Sequence, residues 1–327
     1  MLGFRGLVLP DWLRAFAADH GLGGVILFDR DVQLGGIRNV ESPAQVRALC
    51  AEVHALPSRP LVFVDQEGGR VRRLKATAGF KELPSARAFA ALPEAEARRL
   101  ATESCAEMKA LGIDFDLAPV VDLDTNPDNP NIGKLERAYS ADAGEVRRCA
   151  RILNEAARAA GLGLCVKHFP GLGGARTDSH LALTDLSGLV SPEQEALFYE
   201  LAAELSGRAA LFSHGFVREW DALLPASISP AAVARFRAAQ PETLLITDDI
   251  QMQGLQGASG SVDAVMRALA AGIDLVCVGN NLLAQADECG LAARSLRERA
   301  EGDDALATQL AAARTRIAAR KHFAAGR

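Results

Sequence analysis

Residues 167 to 180, KHFPGLGGARTDSH, end a short apolar run in a cluster of ionisable side chains: Lys167, His168, Asp178 and His180. A strand that runs straight into charges and then into a glycine-rich loop is poorly suited to core packing and well suited to a site. The loop can bend, and its far end can donate protons. Asp178 stands two residues before His180, where its charge can orient the imidazole, fix its tautomer and favour the protonated form. The segment TLLITDDIQM from Thr243 ends another apolar run in Asp248 and Asp249. Side chains alternate across a strand, so only one of these carboxylates faces inward, and the other is free to cap the following turn. A carboxylate facing a histidine that is itself paired to an aspartate supplies the parts for cleaving a glycosidic bond through an oxocarbenium-like transition state. One group attacks and the other shuttles a proton.

LVFVDQEGGRVRRL from Leu61 places Asp65, Glu67, Arg70, Arg72 and Arg73 around a Gly-Gly turn. This reads either as a solvated turn after a strand or as a grip on sugar hydroxyls, since a carboxylate accepts hydrogen bonds and Arg donates them in a fixed fork. Gly171, Gly173 and Gly174 do not make a phosphate cradle: Arg176 occupies the last glycine position of GxGxxG, and no GxxxxGK[ST] is present. His54, His168, His180 and His214 show neither HxH nor HExxH spacing, so no metal and no cofactor are expected.

The elements that position these residues recur along the whole chain. Near-continuous apolar runs begin at Gly6, Gly24, Leu61, Ile113, Gly163, Ala209, Thr243 and Ile273, and such runs mark strands buried on both faces, as in parallel sheets. Between them lie helical segments. Ser42-Pro43 with Gln45, Ser191-Pro192 with Gln194, and Asp142 with Glu145 have the form of helix starts, and Val46, Leu49, Cys50, Val53 and Leu56 follow the first at helical spacing. Eight strands alternating with helices, without a linker, predict a single (β/α)8 TIM barrel in one α/β domain over residues 1–327, with a doubly wound sheet as the alternative. The ionisable pairs fall at the C-terminal edges of the strands, which is where such a barrel gathers its active site.

Bulk properties narrow the partners. The 327 residues are 49% hydrophobic with a net charge of −5, which suits an ordered globular protein and gives no electrostatic footprint for nucleic acid. Six cysteines without CxxC spacing read as reduced core residues. With neither a secretory signal nor a membrane span in the sequence, a cytoplasmic protein is expected.

Taken in order, DQEGGRVRR, the ERAY segment, KHFPG…DSH and TDDIQM closely resemble glycoside hydrolase family 3 in its single-domain β-N-acetylglucosaminidase branch, across nearly the whole chain. The resemblance implies a (β/α)8 barrel that removes terminal β-linked N-acetylglucosamine with retention and without a metal. It implies Asp248 as nucleophile and His180 as general acid/base with Asp178 as its partner. Asp65, Arg73, Arg137, Lys167 and His168 become sugar-binding residues. One departure stands out: the family's KHFPGHG reads KHFPGLG here, with Leu172 in place of a histidine, so an effect on loop docking or aglycone contacts is expected. The resemblance further implies a small carbohydrate substrate, N-acetylglucosaminides of the muropeptide kind in peptidoglycan recycling, and a monomer without nucleic-acid or membrane partners. Other readings are a β-glucosaminide phosphorylase, a broad-specificity β-glycosidase, attack by the substrate's own acetamido group, and a non-catalytic amino-sugar-binding barrel.

Overall fold

The computed structural model describes residues 1–177, 183–252, 255, 261–282 and 286–326. Its strands are β1 (Gly24–Leu27), β2 (Leu61–Val64), β3 (Gln66–Gly68), β4 (Val71–Arg72), β5 (Phe115–Asp116), β6 (Gly163–Phe169), β7 (Thr184–Asp185), β8 (Ala209–Phe212), β9 (Gly215–Phe216) and β10 (Leu244–Thr247). Six of them form one sheet in the order β1-β2-β5-β6-β8-β10, with every neighbouring pair parallel. Parallel neighbours need crossovers, and helices supply them. Pro43–His54 connects β1 to β2, Ala143–Ala160 connects β5 to β6, and Pro192–Glu204 lies between β7 and β8. The three helix starts expected from sequence are present: Ser42, Asp142 and Ser191 accept the backbone N–H of Gln45, Glu145 and Gln194.

Continuous apolar runs arise because each strand is buried on both faces. Ile26, Phe63, Phe115, Cys165, Leu211 and Ile246 turn into one cluster on the inner face. Their neighbours Val25, Val62, Leu164, Ala210 and Leu245 join the larger cluster beneath the helices. Beyond the edges of the sheet, pairing continues as isolated parallel bridges: Leu2 with Val25 and Val278, and Leu275 with Ile246.

Two of the eight expected strands differ. The run from Gly6 is a bend, not a strand: Gly6 has φ +126° and Val8 is 64% exposed. The bridge beside β1 is made earlier, by Leu2, whose N–H donates to the Gly24 carbonyl at 3.0 Å. The run from Ile273 contributes only the bridges at Leu275 and Val278. All six cysteines are buried, and none is in a disulfide. No helix among the described residues is long and apolar enough to cross a membrane.

Candidate active site

Because the strands of the main sheet are parallel, their C-terminal ends share one rim, and Asp65, Lys167, His168 and Asp248 reach it from β2, β6 and β10. The hairpin β3–β4 adds Arg73. Its base is held by the buried Gln66, whose Oε1 accepts the N–H of Arg73 at 3.1 Å and of Leu74 at 3.0 Å. Gly68 allows the turn: its φ is +94°, and a Cβ there would lie 2.0 Å from the Pro84 carbonyl oxygen. Arg137 follows a short 3₁₀ turn at Gly133–Leu135. Together these residues bound a cavity of about 490 Å³ that contains Asp65, Arg73, Arg137, Lys167, His168 and Asp248 in its wall.

Behind the wall the charges form one network. Lys167 Nζ lies 2.8 Å from Asp65 Oδ1 and 2.5 Å from Glu67 Oε1. Arg73 donates to Asp65 Oδ2 at 3.0 Å. Arg137 grips Glu67 with two hydrogen bonds of 2.7 Å, the bidentate geometry that a guanidinium and a carboxylate favour. Burial opposes ionisation of Asp65, yet Lys167 and Arg73 outweigh it and hold its carboxyl well below the usual range. The same contest, won by Arg137 and Lys167, brings Glu67 down to about 2. Lys167 is raised, since its two carboxylates overcome the cost of burial.

His168 is oriented by its neighbours. Arg137 Nη2, which can only donate, lies 2.9 Å from His168 Nε2, so that nitrogen accepts and Nδ1 carries the proton. Nδ1 then donates to Asp122 Oδ2 at 2.8 Å, and the Leu172 N–H donates to Asp122 Oδ1 at 2.8 Å. The sequence placed Asp122 at a strand end and Glu67 in a turn able to grip sugar hydroxyls, without a specific role for either. Their roles, holding His168 and anchoring Arg137, depend on partners 46 and 70 residues away.

Both adjacent aspartates border the cavity, although strand alternation led to only one being expected there, and their bonds differ. Asp248 is half-buried in the cavity wall, and its Oδ1 accepts the Asp249 N–H at 2.9 Å. Asp249 Oδ1 accepts the N–H groups of Gln251 and Gly279, both at 3.1 Å, so it caps the turn and ties it to the neighbouring segment. Burial pushes its carboxyl up to about 6, against those two N–H groups and helped by the Asp248 charge.

The basic trio of the turn is split: Arg73 reaches Asp65, Arg72 pairs with Glu82 at 3.5 Å, and Arg70 is exposed at the cavity mouth. Asp178 and His180 lie outside the described residues. The loop leading to them is packed where it is described, contrary to the looseness its glycines suggest. Leu172 and Ala175 are buried with Val120, Ile132, Ala138, Leu186 and Val217, and a Cβ on Gly173 would lie 1.8 Å from the Leu123 carbonyl oxygen. Among the described residues no group of three or more His, Cys, Asp or Glu side chains could hold a metal ion.

The chain matches the glycosyl hydrolase family 3 N-terminal domain over residues 7–319. A β-hexosaminidase of Thiobacillus denitrificans is 35% identical over 348 aligned positions, covering 100% of this chain and 93% of that protein. Among solved structures, β-N-acetylhexosaminidase from Beutenbergia cavernae superposes with a TM-score of 0.83 at 28% identity, covering 98% of this chain and 96% of that one. NagZ from Neisseria gonorrhoeae, solved with N-trifluoroacetyl-D-glucosamine, gives a TM-score of 0.74 at 25% identity, with 96% and 97% covered. The chain belongs to glycosyl hydrolase family 3 and is a glycoside hydrolase.

Proposed function

We propose that this hydrolase is a retaining exo-β-N-acetylglucosaminidase that removes terminal non-reducing β-linked N-acetylglucosamine through a covalent glycosyl-enzyme. The observation that carries the reading is the cavity wall itself, where Asp248 shares a space of about 490 Å³ with the Asp65–Lys167–Arg73 cluster, Arg137 and His168. A ring of fixed donors and acceptors suits sugar hydroxyls, and a carboxylate beside them suits the anomeric carbon. The neighbour solved with an N-acylglucosamine analogue supports the 2-acetamido preference.

In the cycle, Asp248 attacks the anomeric carbon while His180, oriented by Asp178, gives its proton to the leaving oxygen. Water then attacks the glycosyl-enzyme as His180 takes the proton back, and the bond to Asp248 breaks. Asp65, Arg73, Arg137, Lys167 and His168 hold the ring throughout. The proposal includes a closed (β/α)8 barrel in one domain, supported by the bridges at Leu2, Leu275 and Val278 that link β1 to β10. It also includes action on muropeptides by a cytoplasmic monomer, supported by the motif resemblance alone.

A panel of chromogenic glycosides tests the substrate. The glucosaminide is expected to turn over faster than the glucoside and galactosaminide by about tenfold or more, and equal rates would remove the 2-acetamido preference. Trapping a fluorinated sugar, read by peptide mass spectrometry, is expected to label Asp248. A label elsewhere, or none, would remove the covalent mechanism assigned to that residue.

A further inference from the structure

One buried carboxyl beneath the sugar-facing residues has no place in this cycle. Asp116, at the end of β5, is fully buried. Its Oδ1 accepts the Gln66 backbone N–H at 2.9 Å, while Oδ2 has no hydrogen-bond partner among the described residues. Gln66 is no ordinary neighbour: it lies between Asp65 and Glu67, and its side chain holds the backbone of Arg73 and Leu74. A single hydrogen bond from β5 therefore fixes the centre of the segment that presents two site carboxylates and the hairpin carrying Arg73.

The other carboxyl of this short stretch shows what a merely structural clamp looks like. Asp114 Oδ2 accepts the Val62 N–H at 2.9 Å and has His54 Nε2 beside it at 2.8 Å, so that oxygen has two partners. Around Asp116 the charged and titratable groups are Lys167 and Cys165 of β6, Asp65 and Glu67 flanking Gln66, Cys105 of the helix Glu94–Leu111, and Tyr139. Lys167 is the cation of this set, and it is already shared between Asp65 and Glu67. Burial, aided by the charges of Asp65 and Glu67 and opposed by the Gln66 N–H and Lys167, pushes the Asp116 carboxyl up to about 7.

We propose that Asp116 is a positioning residue for the sugar-binding rim: as a neutral acid it fixes the Gln66 backbone and leaves Lys167 to Asp65 and Glu67, and as an anion it competes for Lys167 and loosens the grip on sugar. The inference rests on reading the cavity as the sugar site. A neutral amide at this position keeps an acceptor for Gln66 but cannot ionise, which separates the two roles.

The test is kcat and KM of wild type, Asp116→Asn and Asp116→Ala on a 4-nitrophenyl N-acetyl-β-glucosaminide, at about pH 6 and about pH 8.5, on either side of the Asp116 transition. Wild-type KM is expected to rise about threefold or more between the two, while Asp116→Asn stays flat. Asp116→Ala is expected to raise KM about tenfold at both values with kcat within about threefold, a loss of uniform binding. If KM of Asp116→Asn tracks wild type across pH, the inference is wrong even where Asp116→Ala does not fold. A wild type that leaves the glycoside intact at every pH overturns the functional reading and this inference with it, whereas cleavage with a parallel pH response overturns this inference alone.

Discussion

The two ends of the parallel strands use the same chemistry for different purposes. At the N-terminal end, carboxylates join strands. Asp274 Oδ2 accepts the Leu245 N–H at 2.9 Å and contacts Arg237, while Arg316 Nη2 lies 2.8 Å from Oδ1. Asp114 repeats the pattern with the Val62 N–H and His54. At the C-terminal end the carboxylates Asp65 and Glu67 are equally well matched by cations, but Asp65 and Lys167 line open space, with Glu67 buried behind them. Buried ion pairs alone therefore do not mark a site. What marks it is a set of paired charges whose outer edges face a cavity that a polar ligand can fill, and in barrel-like folds that edge is the C-terminal one.

The sharpest way to break this comparison is to remove one carboxylate from each end. Asp248→Ala is expected to lower kcat by at least about 10³-fold, as loss of a nucleophile does, while the melting temperature stays within about 3 °C of wild type. Asp274→Ala strands Arg237 and Arg316 without their shared anion. It is expected to cost about 3–5 kcal/mol of stability and to leave kcat/KM of the folded protein within about threefold. The checks are denaturant melts and steady-state kinetics on the same preparations. A folded Asp274→Ala protein that has lost turnover, or an Asp248→Ala protein that melts early, would erase the division of labour.

A smaller effect separates carboxyls within the rim by the sign of their pH response. Glu67 is lowered to about 2, so its contribution is present above its unfolded value of about 4.3 and is lost as pH falls through the folded one. The shift corresponds to stability on the order of 3 kcal/mol. Asp249 is raised to about 6, so its contribution runs the other way: it is present below about pH 3.9 and is lost as pH rises toward the folded value. Urea melts across pH are expected to show Glu67→Gln destabilised at neutral pH and converging on wild type in acid. Asp249→Asn is expected to gain on wild type as pH rises toward 6. Curves that stay parallel to wild type for both variants would contradict the electrostatic account of the rim.

Much of this arrangement was legible in the sequence because it is local. The caps at Ser42, Asp142 and Ser191 need only residues three positions apart, and six strands announce themselves through apolar runs that are buried on both faces. Asp65 and Asp248 were legible because each directly follows a strand, Lys167 and His168 because they lie near the end of one, and Arg73 because it sits beside a turn. The bend at Gly6 was misread because an apolar run does not reveal whether a neighbouring strand is available, and Leu2 takes that place instead. Asp116 and Asp122 were legible as acids but not as parts of the site. Their work is done through Gln66, His168 and Leu172, across separations of 50, 46 and 50 residues, and no local pattern encodes it.

The last test concerns the one position where the motif departs from its family. Leu172 is 2% exposed. Its side chain packs with Val120, Ile132, Ala138, Ala175, Leu186 and Val217, while its N–H is held by Asp122 and its carbonyl accepts from Asn129 at 2.6 Å. The backbone bonds place the loop, and the leucine fills the space beneath it. A histidine there would keep the backbone bonds but bring a polar ring into an apolar cluster, at a cost of about 1–3 kcal/mol where no partner is found. Leu172→His is therefore expected to lower stability by that amount, about 1–5 °C in melting temperature for a chain of this length, and to change kcat/KM by less than about tenfold. A calorimetric scan beside the kinetic assay decides it. Unchanged stability with altered kinetics would move Leu172 from the packed base of the loop to the sugar cavity, whose wall it also reaches, and would blur the line between the parts of the rim that hold shape and the parts that hold substrate.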